Sequence, residues 1–171
     1  MSTRNESEFV DMRFGFPVVL KDAPMREVRG ELVPAINANV LRDVVLVALA
    51  IKPGPLTGNE VRFIRLWMDM TLTRFGGECS VTHAAVKKWE DRRDQPTKMN
   101  RTTEFFIRYL VAEKMPEGFV WGHVPRERKV SPYSLESLRR VLTAASEESR
   151  PLCLKASDLS SPGVLPLSPQ L

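Results

Sequence analysis

The hydrophobic positions change period along the chain. From Phe14 to Asn37 they fall in short β-prone runs, FPVVLKD and EVRGELVPAI, with APMRE between them. Pro17 and Pro34 suit strand ends or sheet edges, because proline cannot donate to a ladder. This pattern predicts a small hairpin. Residues 1–12 are polar and predict a loose segment. Val44–Ile51 is a run of eight apolar residues. With Asn39 as a cap and Pro53-Gly54-Pro55 as a stop, it predicts a helix over Val40–Lys52, buried on all sides. A buried strand is the alternative that its β-branched content supports; its length favours the helix.

Beyond the stop the period becomes helical. Thr57 and Glu60 form a T-x-x-E capping box, with Val61, Ile64 and Met68 following on one face. The helix is expected from Gly58 to Asp69. A second short helix starts after Thr71 with Phe75 and Cys79 inward; Ser80 makes a turn, and Thr82 caps a third helix that ends at Glu90. DRRDQPTK reads as a polar connector. MNRTTEFFIRYLVAEKM is amphipathic, and Phe105 or Phe106, Tyr109, Leu110 and Ala112 are expected on its apolar side. A last helix is expected over Ser134–Ser146, with Leu135, Leu138, Val141 and Leu142 on one stripe. Residues 149–171 are rich in proline and serine without a period and predict a disordered tail. The expected organisation is 1–55, a hairpin plus helix for dimerisation or partner binding; 56–115, a DNA-binding unit; 116–148, an extension with one helix; and 149–171, the tail.

Composition changes the picture little. The chain has 171 residues, 43% hydrophobic and 27% charged, with a net charge of +4. A pI near 9.3 favours a polyanionic partner only weakly. Cys79 and Cys153 show neither a disulfide framework nor zinc spacing, so a reducing, cytoplasmic setting is expected. MSTRNESEFVDMR lacks a signal-peptide core. The longest apolar run is far short of the ~20 residues that span a bilayer, so no membrane partner is expected. No Ser/His/Asp set, phosphate loop or ligand cluster is visible. No catalytic residue, metal or cofactor is therefore expected, and the chain reads as a binding protein rather than an enzyme.

The stretch LTGNEVRFIRLWMDMTLTRFGGECSVTHAAVKKWE, Leu56–Glu90, resembles the helix-turn-helix of Cro/CI/XRE-type regulators, most closely the branch in MqsA-type antitoxins. The family opening L-T-x-x-E-[IV]-R-F-[IL]-R is matched by Leu56–Arg65. A capped second helix, the V-S/T before the third helix and the closing W-E are matched by Thr71, Val81-Thr82 and Trp89-Glu90. The resemblance implies a lambda-repressor-like helix-turn-helix bundle, mostly α, here with a small N-terminal β-hairpin. It also implies an Arg65–Glu90 ion pair across the bundle. Upstream zinc cysteines of the antitoxins are missing, so metal binding is not carried over. Arg74 replaces an acidic residue, leaving no capping box at Thr71. Gly76 stands where close helix approach needs a small residue; Gly77 has no such reason and costs about 1 kcal/mol relative to alanine.

A recognition helix enters the major groove, about 12 Å wide, with its N-terminal residues toward the bases. The candidate DNA-binding residues are Thr71 and Thr73 on the second helix, Thr82, His83, Ala84, Ala85, Lys87 and Lys88 on the third, and Arg92 and Arg93 just beyond. The alanines permit close approach, and the lysines suit phosphate more than bases. For Arg92 and Arg93, flanked by Asp91 and Asp94, a solvated loop competes with phosphate contact. The expected function is a sequence-specific transcriptional regulator, read as a repressor, that binds an inverted repeat of double-stranded DNA as a homodimer. Autoregulation is implied by the resemblance alone. The alternative is an antitoxin that neutralises a toxin by protein contact and represses its own operon.

Overall fold

The computed structural model describes residues 4–115 and 151–155. β1 (Arg4–Asp11) runs antiparallel to the 11-residue β2 (Val18–Val28). β3 (Glu31–Pro34) pairs antiparallel with the Met25–Val28 end of β2, and β4 (Leu152–Lys155) pairs parallel with its Val18–Lys21 end. The register sorts the side chains into rows. Asp11, Val18 and Leu152 share one row, and Phe9, Leu20 and Leu154 share the next on that same face. All but the half-buried Phe9 are buried, so this face meets the core. The other face carries the rows Val10–Val19–Cys153 and Glu8–Lys21–Lys155, of which only Val19 is buried.

This mixed four-stranded sheet overturns the expected mostly helical bundle with a small hairpin. β1 comes from residues that read as loose. Among its described side chains only Phe9 and Val10 are apolar, and backbone pairing leaves no side-chain period to read. β2 runs straight through APMRE, and Pro24 is accommodated with its carbonyl accepting from Ala35 N at 2.6 Å. The alternation within β2 also slips. Val18 and Leu20 are buried, then Ala23 and Met25, with Asp22 between them at φ +56°. β4 corrects the tail over residues 152–155; the rest of the tail and the expected Ser134–Ser146 helix lie outside the described residues.

Five helices follow in the described residues: α1 (Ala38–Ile51), α2 (Gly58–Trp67), α3 (Leu72–Glu78), α4 (His83–Glu90) and α5 (Arg101–Lys114). The cap of α1 is Asn37 rather than Asn39; its Oδ1 accepts from Asn39 N at 2.9 Å. Val44–Ala50 are all buried, because α1 packs against β4 and against α5. One apolar cluster runs from Val18 and Leu20 through Val45 and Leu49 to Leu56, Ile64, Phe75 and Val86. The core is thus continuous across the expected boundary at residue 55.

A buried ionic junction holds the two sides of that boundary. Lys52 Nζ meets Glu60 Oε1 at 2.5 Å, and both side chains are buried. Glu104 Oε1 accepts from Leu56 N at 3.0 Å and from Arg108 Nη2 at 2.6 Å. Arg108 also donates to the carbonyls of Leu49 (3.0 Å), Lys52 (2.8 Å) and Gly54 (2.7 Å). α1 has no basic residue in its last turn, and Arg108 supplies the cation its orphan carbonyls favour. The buried face of α5 is accordingly Thr103, Glu104, Ile107, Arg108, Leu110 and Val111. Of the residues expected there, Leu110 is buried, while Phe105, Phe106, Tyr109 and Ala112 are half-buried.

Candidate nucleic-acid interface

Local caps fix the starts of α2, α3 and α4. At α2 the capping box closes from both sides: Glu60 N donates to Thr57 Oγ1 at 3.4 Å, and Thr57 N donates to Glu60 Oε2 at 2.8 Å. Thr71 Oγ1 accepts from Arg74 N, and Thr82 Oγ1 from Ala85 N, each at 3.2 Å. α3 and α4 are joined by Cys79–Thr82, with Ser80 in the left-handed region at φ +55° and Val81 N donating to Gly76 O at 2.8 Å. A Cβ on Gly76 would lie 2.8 Å from Val81 O, whereas one on Gly77 would meet nothing within 4 Å. Phe75 and Cys79 are buried beneath this turn. Burial, with Glu78 nearby, pushes the Cys79 thiol up to about 11, so it holds its proton at neutral pH.

Two contacts then set the position of α4 against α2. A Cβ on Gly58 would lie 2.7 Å from Arg93 N and 2.9 Å from Glu90 O, so only glycine lets the start of α2 sit against the end of α4. Arg65 grips Glu90 through two bonds, Nε–Oε1 at 2.5 Å and Nη2–Oε2 at 3.0 Å, and donates to Met70 O at 2.7 Å. Val86 is fully buried and Trp89 half-buried, so the inner side of α4 is held along its length.

The outer side is what remains. Thr82, His83, Ala84, Lys87 and Lys88 are exposed and Ala85 is half-buried, all in or next to the first two turns of α4. Thr71 and Thr73 are exposed at the start of α3; Leu72 between them lines the same cleft as Lys87. Lys87 is held by Asp91 at 3.0 Å, while Lys88 has no ion-pair partner among the described residues. Arg93 is exposed, but Arg92 is half-buried and its Nε donates to Pro96 O. Arg92 therefore helps to secure the connector. Arg62, exposed on α2 and lining the cleft with Lys87 and Arg93, was not among the expected contacts. Its signal was helical period: it follows Asn59 by one turn, off the Val61–Ile64 face.

Among the described residues no group of three or more His, Cys, Asp or Glu is placed to hold a metal, and no helix is long and apolar enough to cross a membrane. No family model, curated protein or solved structure matches the chain.

Proposed function

We propose that the protein is a sequence-specific, double-stranded DNA-binding regulator of transcription that acts in the cytoplasm as a homodimer. One observation carries the reading: α4 is pinned along its inner side and leaves Thr82, His83 and Ala84 exposed at its capped N-terminal end, with Lys88 exposed in its last turn. The small Ala84 allows approach to a groove floor, and His83 can donate or accept at a base edge. Lys88 can neutralise a phosphate. The motif resemblance of Leu56–Glu90 to Cro/CI/XRE-type regulators supports the same use of α4. An eight-residue helix reads few base pairs, so specificity calls for a second copy facing the next major groove, about 34 Å away, on an inverted repeat.

The direct test is selection of bound duplexes from a random pool with purified protein. Recovery of a palindromic consensus is the expected result, and an unenriched pool would refute sequence-specific binding. His83→Ala should then weaken binding to the selected duplex by about 1–3 kcal/mol while leaving random-duplex binding unchanged at the same salt. Equal losses on both duplexes would reassign His83 to backbone contact.

A further inference from the structure

Arg62 on α2 and Arg93 just past α4 are exposed, and the side chain of neither has a hydrogen bond or ion pair among the described residues. Both line one open cleft of about 520 Å³, together with Arg65 and Lys87. The carboxylates of that cleft are already engaged, Glu90 by Arg65 and Asp91 by Lys87. Four cations against two carboxylates leave the lining a net charge of +2. Arg93 also holds φ +52°, with its N donating to Glu90 O at 3.1 Å and its carbonyl accepting from Asn59 N at 2.8 Å. Glycine would adopt that backbone at lower cost; what glycine lacks is the guanidinium.

The geometry points to a binding site for a phosphate-class oxyanion in the cleft between Arg62 and Arg93. Guanidinium forks present paired N–H donors that match phosphate oxygens, and Arg is weakly hydrated enough to engage them. The cleft is within the size range of small-molecule sites, larger than one phosphate group needs. The oxyanion therefore arrives attached to something: a DNA backbone, or a small phosphorylated molecule such as a nucleoside monophosphate. The first source rests on the DNA reading above, since Leu72 of α3 and Lys87 of α4 line the same cleft. The second source does not depend on it.

Arg62→Ala, Arg93→Gly and the double variant separate the two. Neither side chain is buried, and Arg93→Gly relieves the left-handed backbone, so the variants are expected to fold; circular dichroism checks this. In one arm, anisotropy of a labelled random duplex is followed across salt. Each lost phosphate contact should flatten the log–log salt slope by about 0.9. In the other arm, inorganic phosphate and AMP are titrated calorimetrically at fixed ionic strength. A flattened slope without binding of either small probe assigns the site to backbone phosphate. Phosphate or AMP binding that the double variant loses, with an unchanged slope, assigns it to a small molecule. Both results support the site. Wild-type and variant behaviour that coincides in both arms overturns it. A protein that binds no duplex at all removes the DNA reading, and the phosphate and AMP titrations then decide the cleft alone.

Discussion

Cys79 and Cys153 differ in what surrounds them. Cys79 is buried beneath the α3–α4 turn, and its thiol is raised from 9.0 to about 11; Cys153 lies exposed on the outer sheet face. A thiol-disulfide reagent at pH 8 should modify one thiol rapidly and the second only in denaturant. The raised thiol also makes stability fall with pH. Above pH 9 the unfolded chain loses this proton while the folded chain keeps it, so the folded state is progressively disfavoured up to about pH 11. Urea midpoints across that range should show a loss of about 1–3 kcal/mol from this group, absent in Cys79→Ala. The burial of Cys79 was legible from its helical spacing to Phe75. The partner of Arg92 was not, because the Pro96 carbonyl comes into reach only once the connector has folded back.

At the scale of elements, Gly76 and Gly77 are adjacent in one short helix yet have opposite structural roles. Gly76 is where α3 and the turn into α4 touch; Gly77 faces open space. Gly76→Ala should destabilise the protein by about 1–3 kcal/mol, because the added methyl meets backbone that can move only by shifting α4. Gly77→Ala should stabilise it by about 0.4–1 kcal/mol, because alanine loses less freedom on entering a helix. Chemical denaturation of the pair checks this, and effects of the same sign would show that the α3–α4 packing is not as described. The helices α2 to α4 were legible because each begins with a threonine whose hydroxyl reaches three residues ahead. The face of α5 was misread because Glu104 and Arg108 look like solvent residues until their partners are known.

For the whole molecule, Arg108 is the residue that ties α5 to the end of α1 and to the loop before α2. It is 1% exposed and spans α5, the end of α1 and the loop at Gly54. Arg108→Met should cost about 3–5 kcal/mol, because Glu104 is left as a buried charge without its cation and the α1 carbonyls lose their donor. The loss should appear in hydrogen exchange of both α1 and α4 amides, since the apolar core is continuous between them. Loss of protection in α1 alone would mean that the sheet side and the α2–α4 side unfold independently.

The chain by itself determined the order, starts and inward faces of α2, α3 and α4, together with the cation–carboxylate pair that clamps α4. These depend on contacts three or four residues apart and on a motif 35 residues long, Leu56–Glu90, all within reach of a linear reading. Only the tertiary structure decided the sheet, the buried charges and the cleft. The ladder partners of β2 include Leu152–Lys155, far along the chain, and the carbonyls that bury Arg108 lie 54 to 59 residues before it. Local period carries no information about which distant backbone groups will be left needing a partner, and it is those groups that drew a polar strand, the short segment Leu152–Lys155 and an arginine into the fold.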